Sequence, residues 1–200
     1  MSACNNWYHC NGNTYGTWVR GDPRGWRSRG HHEHVEGDYK NPPKKGKYKK
    51  QFEQSKKLMK RDPVEIPMEA RGVACQVMVE SLLFRHVEVV AFCVGKKHWH
   101  GLLRFIPLEP KKSQAIAIAG FSKNRAPRSL IGIAKKRAAR ALSEIGWVET
   151  GGVWAGRGGV KPIKDRPHQL NSAKYIRDHL LEGAVVYYTG KFYYPKGYAR

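Results

Sequence analysis

The stretch His98-Trp99-His100-Gly101-Leu102-Leu103-Arg104-Phe105 decides both the fold and the site that the sequence predicts. Its alternation of polar and apolar residues is typical of a half-buried β-strand. Successive side chains of a strand point to opposite faces. One face therefore carries His98, His100, Leu102 and Arg104, and the other carries Trp99, Leu103 and Phe105. The apolar residues anchor the strand in a core while the two imidazoles project together.

The residues before this stretch predict its partners. Val87–Val94 is a short apolar run of strand length, and Gly95 with the two lysines that follow predicts a turn. The run and the stretch His98–Ile106 therefore form a hairpin. Upstream, Glu69–Phe84 has the helical spacing of an amphipathic helix. Its predicted apolar stripe consists of Val73, Ala74, Val77, Met78 and Leu82.

The residues after the hairpin predict two more helices. Pro127–Ile145 begins with a proline, which suits a first helical position, and Gly146 suits its exit. A last helix is capped by Asn171 or Ser172, runs to about Leu181 and ends at Gly183. The shorter strand candidates are Val185–Tyr188 and Lys191–Tyr194, with Gln114–Ala119 as either a strand or the start of a helix.

At the other end of the chain, Trp7–Val19 predicts a first strand with a turn or bulge near Gly12 or Gly16. Residues 20–62 are rich in glycine, proline and basic side chains, so they form a long basic loop or insertion with a short helix near Gln51–Lys60. The element order predicts an α+β fold, in which helices cover an antiparallel sheet. We expect one domain over residues 1–200, including the basic loop 20–62 and an aromatic basic tail 184–200.

The charge of the chain points to a polyanionic partner. Lys and Arg number 37 against 16 Asp and Glu, which gives a formal net charge of +21. Such a protein attracts nucleic acid over long range. A membrane surface is the alternative, but neither a transmembrane run nor a basic amphipathic helix of the interfacial type is present, so we expect no membrane partner.

The cysteines leave one alternative open. Cys4, Cys10, Cys75 and Cys93 contain no CxxC pair, which favours reduced thiols in a cytoplasmic protein. Cys4 and Cys10 together with His31, His32 and His34 have the residue types of a zinc site, although their spacing matches no familiar finger.

Tyr175 and His179 lie four residues apart on the last predicted helix, so they share a face. If that face meets the face of His98 and His100, three imidazoles surround one point beside a tyrosine hydroxyl, which is a metal site with a nucleophile. The alternative is that the strand histidines are half-buried sheet residues and that the helical pair only packs.

Four segments together resemble the single-tyrosine HUH transposases, a family of insertion-sequence enzymes and their REP-associated relatives in bacteria. The first is the stretch from Thr14 to Trp18 followed by Gly21 to Trp26, which is similar to an N-terminal signature of the REP-associated branch. The others are the histidine-hydrophobic-histidine strand, Trp154 in its Gly-rich stretch, and Lys174-Tyr175-Ile176 with His179.

The resemblance implies an HUH-endonuclease architecture, which is ferredoxin-like or RRM-like, and a specific chemistry. His98, His100 and His179 would hold one divalent metal, Mg²⁺ or Mn²⁺. The Tyr175 hydroxyl would attack a scissile phosphate of single-stranded DNA next to a hairpin, leaving a 5′-phosphotyrosine and a free 3′-hydroxyl. This is a transposase reaction of strand cleavage and transfer by a monomer or homodimer at the bacterial nucleoid.

Residue type and position indicate the DNA contacts. Basic side chains would hold the backbone, and tryptophan rings would stack on unpaired bases. The candidates are Arg104, Lys135, Lys136, Arg137, Arg140 and Arg157, with Trp18 and Trp26 for stacking. The competing hypothesis is a basic nucleic-acid-binding protein that derives from a transposase and has no catalytic activity.

Overall fold

A computed structural model describes residues 5–23, 26, 43–106, 126–148 and 152–198. Their strands form one antiparallel sheet of six strands in the order β4-β1-β3-β2-β5-β6. The strands are β1 (Trp7–Thr14), β2 (Val87–Val94), β3 (His98–Phe105), β4 (Trp154–Pro162), β5 (Val185–Tyr188) and β6 (Lys191–Tyr193).

Four α-helices accompany the sheet in the described residues. They are α1 (Lys49–Lys57), α2 (Met68–Leu83), α3 (Pro127–Glu144) and α4 (Arg166–Asp178), and α4 continues into a 3₁₀ turn, His179–Glu182. Helices α2 and α3 pack together on one face of the sheet, and α4 packs on β2 and β3 from the other. The predicted α+β class with an antiparallel sheet is confirmed.

Strand β3 lies between β1 and β2 near the middle of the sheet and divides the core in two. Trp99 and Leu103 belong to the apolar cluster under α2 and α3, whereas Leu102 belongs to the cluster under α4. The Trp99 ring stacks on Phe92 with 5.6 Å between centroids. Gly12 makes room for this ring, since a Cβ there would lie 2.6 Å from Trp99 Nε1.

Helix α2 differs from the predicted amphipathic helix. It is buried on more than one side because it lies between the sheet and α3, and Val73 and Val77 of the predicted stripe are only partly buried. Even Arg71 is buried, with its Nε donating to the Ile66 carbonyl and its Nη1 to the Gly183 carbonyl. A helix in such a position does not show the one-sided pattern of a surface helix.

Two predicted boundaries are wrong. Strand β1 ends at Thr14 rather than Val19, because the chain turns at Gly16, whose φ of 72° suits glycine. The predicted irregularity near Gly12 or Gly16 is confirmed, since the pairing with β4 also shifts register between Gly12 and Thr14. Helix α4 begins at Arg166 rather than after Asn171 or Ser172, because Asp165 is the cap and accepts a 2.7 Å hydrogen bond from the His168 N–H. The C-terminal strands β5 and β6 were predicted closely.

The basic insertion is described only in part. Helix α1 lies close to the predicted helix at Gln51–Lys60 and buries none of its residues. The predictions for Gln114–Ala119, and for residues 24–25 and 27–42 of the insertion, lie outside the described residues. No helix in the described ranges is long and apolar enough to cross a membrane.

Candidate metal and tyrosine site

The structure brings together three histidines that are distant in sequence. His98 and His100 lie on β3, and His179 begins the 3₁₀ turn that follows α4. One ring nitrogen from each lies within 4.8 Å of the others. His100 and His179 are buried and His98 is partly buried. The three residues together could hold a metal ion, and their imidazoles are suitable ligands for transition metals.

The elements that carry the histidines are fixed on both sides of the cluster. Ile176 of α4 and Leu102 of β3 are buried in the same apolar cluster. After the 3₁₀ turn, Gly183 takes a left-handed conformation with a φ of 81°, and the next residues enter β5, which pairs with β2. His179 is therefore held between a packed helix and a paired strand.

The free nitrogens of the cluster fit a cation. His98 Nε2 and His179 Nε2 are buried and have no hydrogen-bond partner among the described residues. His179 Nδ1 lies 2.9 Å from Glu182 Oε2, and because a carboxylate only accepts, Nδ1 carries the proton. The lone pair of His179 is then on Nε2. A carboxylate on the outer nitrogen of a metal-binding histidine is the usual arrangement.

His9 is a member of the site that the sequence analysis missed. It lies on β1 beside β3, with its Nε2 3.2 Å from His100 Nδ1 and its ring stacked on that of His100 at 5.3 Å. If His100 Nδ1 donates to His9, the lone pair of His100 is on Nε2. No motif singles out His9, because its contact depends on strand pairing between distant segments.

Burial favours the neutral form of three of these histidines, His9, His98 and His100. The pKa of His100 is lowered to about 3, chiefly by loss of solvent and then by His179, His98 and His9. Burial is also the main cause of the lowered pKa of His98 and of His9. A neutral imidazole is the form that binds metal, so protons do not compete for these nitrogens near pH 7.

Tyr175 lies at the rim of the cluster and is 48% exposed. Its ring centroid is 4.7 Å from that of His179, 5.2 Å from that of His100 and 5.9 Å from that of His9. Desolvation, followed by Cys93 and Glu182, raises the pKa of its hydroxyl. The side chains around Tyr175 do not ionise it by themselves.

The basic residues predicted on α3 lie on the other side of the sheet from Tyr175, because α3 packs on the Trp99 face. Lys135 donates to the Ala155 carbonyl at 2.6 Å, and Arg140 pairs with Glu144. The remaining two, Lys136 and Arg137, are exposed. Their position therefore does not support contact between the α3 residues and a DNA strand bound at Tyr175.

The other predicted DNA contacts differ in how well their positions suit that role. Arg104 is on the histidine face but pairs with Glu88 at 3.4 Å and lies over the Trp7 ring. Trp18 is 49% exposed, as a stacking residue requires. Trp26 is only 5% exposed and its ring packs on Tyr48, which does not favour its predicted role in stacking on bases. The backbone of Arg157 lies in β4, and its side chain is outside the described part.

Two side chains near His9 were missed. Lys161 of β4 lies opposite His9 in the strand register, and His168 lies on α4 two turns before Tyr175. Both act electrostatically on His9. Strand pairing was again needed to find Lys161, since it meets His9 only through the pairing of β1 with β4.

The alternative zinc site is not supported at Cys10. This thiol is fully buried in the apolar cluster under α2 and α3, and burial raises its pKa to about 12. A buried protonated thiol is a poor metal ligand. Cys4 and the histidines at 31, 32 and 34 lie outside the described residues.

Comparisons of this chain with protein-family models, with curated proteins and with solved structures find no match. The function of this chain must therefore be inferred from the site itself.

Proposed function

We propose that this protein is a metal-dependent endonuclease and transesterase that acts on single-stranded DNA, with Tyr175 as its nucleophile. The observation that carries the proposal is the position of the Tyr175 ring beside three clustered histidines, two of which have buried and unpartnered Nε2 atoms. The net charge of +21 supports a nucleic-acid substrate.

The arrangement of elements supports an HUH-type architecture and transposase chemistry. A histidine-hydrophobic-histidine strand lies inside an antiparallel sheet, and a helix with a tyrosine and a histidine at i and i+4 covers it. The tyrosine and all three histidines belong to one chain, so one copy supplies a whole site.

The protein side chains have defined roles in this mechanism. The Tyr175 oxygen attacks the scissile phosphorus and forms a phosphotyrosine ester while the bond from phosphorus to the 3′ oxygen breaks. The phenol loses its proton to solvent, and the departing 3′ oxygen takes up a proton from solvent to become a free 3′-hydroxyl. One phosphodiester replaces another, and the reverse attack by a 3′-hydroxyl joins strands.

His98, His100 and His179 would hold the divalent cation, Mg²⁺ or Mn²⁺, through one ring nitrogen each. Bound there, the cation would supply Lewis-acid polarisation of the scissile phosphate and a positive field beside the phenol. Lys161 and His168, which both act electrostatically on His9, would contact the phosphates next to the one that is cut.

The test is incubation of the protein with labelled single-stranded DNA hairpins and Mn²⁺, followed by a denaturing gel. We expect a DNA band linked to protein that disappears with EDTA and in Tyr175→Phe. Tyr193→Phe is the matched control, because Tyr193 is also exposed, at 42%, but lies on the edge strand β6.

A covalent band that survives in Tyr175→Phe would exclude Tyr175 as the nucleophile. Salt-sensitive DNA binding with no covalent band for any hairpin tested would favour the competing function, a basic DNA-binding protein without catalysis.

A further inference from the structure

A second feature lies on the opposite face of the sheet from Tyr175. It is a cavity of about 470 Å³ between α3 and the edge strand β4, which is within the size range of small-ligand sites. Trp99 and Ile131, both members of the apolar cluster on that face, form part of its wall. Arg128, Gly132 and Lys135 of α3 face Gly156 and Gly158 of β4 across it.

The cavity is positively charged, and no described acidic side chain compensates this charge. Arg128 donates to the Gly158 carbonyl at 3.0 Å, and Lys135 donates to the Ala155 carbonyl at 2.6 Å. Within the described part of the chain, neither forms an ion pair with a carboxylate. Burial lowers the pKa of Lys135, in keeping with a partly buried cation that has only carbonyl partners.

The shape of the cavity leaves room beside its backbone walls. A Cβ built on Gly132 of α3 or on Gly156 of β4 would meet no atom within 4 Å. Strand β4 is the edge of the described sheet, so no described strand covers its outer side. An extended ligand can therefore pass over β4 while one of its units enters between the strand and α3.

We propose that this cavity binds one phosphate-bearing nucleotide unit of a DNA strand, with Arg128 and Lys135 as its phosphate contacts. Two uncompensated cations favour an anion, and guanidinium and ammonium groups are the usual phosphate partners. The volume accommodates more than a phosphate, and the apolar wall suits a base. Only the identity of the strand as DNA rests on the proposed function.

The experiment measures the affinity of a fluorescent oligothymidylate by anisotropy in EDTA, so that cleavage plays no part. Lys135→Gln removes a cavity cation, and Lys136→Gln removes its exposed neighbour on the same helix. Gly132→Leu fills the cavity, keeps both cations and introduces a better helix former. Melting temperatures check that each variant folds.

We expect Lys135→Gln and Gly132→Leu each to weaken binding about tenfold, and Lys136→Gln much less, which is the difference between a seated phosphate contact and a general charge effect. The slope of log affinity against log salt should fall by about 0.7 in Lys135→Gln, as for one lost contact on a single strand. Thymidine monophosphate should compete with the oligonucleotide on the wild type.

Equal effects of Lys135→Gln and Lys136→Gln, with no effect of Gly132→Leu, would overturn the proposal. Binding of thymidine monophosphate with unchanged oligonucleotide affinity in Gly132→Leu would assign the cavity to free nucleotides and overturn the strand-binding role. Failure of the covalent assay on Tyr175 is a separate result, because anisotropy in EDTA does not depend on that site.

Discussion

His9 and Glu182 each contact one histidine of the cluster at its Nδ1, His9 at His100 and Glu182 at His179. Such outer partners fix the ring orientation and the tautomer of a metal-binding histidine. Glu182 follows His179 by one turn, so it is close in sequence, whereas His9 reaches His100 only through the pairing of β1 with β3. The site therefore depends on a residue from the first strand.

At this scale we predict that His9→Leu weakens metal binding by about 10- to 100-fold, as expected for loss of an outer hydrogen-bond partner. The measurement is a Co²⁺ titration followed by its visible absorption, which does not require catalysis. His86→Asn is the control, because His86 is exposed and has a φ of 55°, which asparagine tolerates. Equal Co²⁺ affinity of His9→Leu and wild type would show that His9 does not orient His100.

At the scale of elements, helix α4 determines the position of both Tyr175 and His179. Its first turn is held by Asp165, whose side chain accepts from the His168 N–H. The start of α4 could have been predicted, because Arg166-Pro167 places a proline in the first turn, the same signal that located α3 at Pro127. The sequence analysis placed the cap at Asn171 or Ser172 because both are common capping residue types, although no proline follows either of them.

We predict that Asp165→Ala lowers the free energy of unfolding by about 1 kcal/mol through loss of the cap. Urea unfolding measures the change. Asp165→Asn keeps a side-chain oxygen that can accept the same hydrogen bond, so it should stay close to wild type. If Asp165→Asn were as unstable as Asp165→Ala, the carboxylate charge rather than the cap would be responsible.

At the scale of the whole molecule, the buried histidines connect pH to stability. The pKa of His100 is about 3 in the folded protein against an ordinary value of 6.5. The unfolded chain therefore binds a proton below pH 6.5 that the folded chain does not bind until about pH 3. The contribution of neutral His100 is complete above pH 6.5 and is lost progressively as the pH falls.

We predict that His100 alone accounts for a loss of about 2 kcal/mol of unfolding free energy between pH 7 and pH 5. His100→Asn cannot titrate, so its stability in EDTA should decline less steeply over this interval. Urea unfolding of both proteins at several pH values gives the comparison. Parallel decline of the two proteins would contradict neutral burial of His100.

The sequence allowed the β2–β3 hairpin and the two faces of β3 to be predicted because these depend on local alternation. The shared face of Tyr175 and His179 could be predicted because it also depends on local spacing. We could not predict the positions of His9, Lys161 and the α3 lysines from the sequence, since they depend on which strands pair and on which face of the sheet a helix packs. Trp26 was assigned to DNA because composition does not indicate that a tryptophan in a basic loop is buried.

The cluster of three histidines has a consequence for the order of folding. His98 and His100 belong to a hairpin closed by a short turn at Gly95, which forms from local contacts. His179 arrives only when α4 docks and β5 pairs with β2. Any shortened chain that stops before His179 can form the hairpin but not the cation cage. A nascent chain would thus lack the complete histidine cluster until residues up to and beyond His179 have been synthesised and folded.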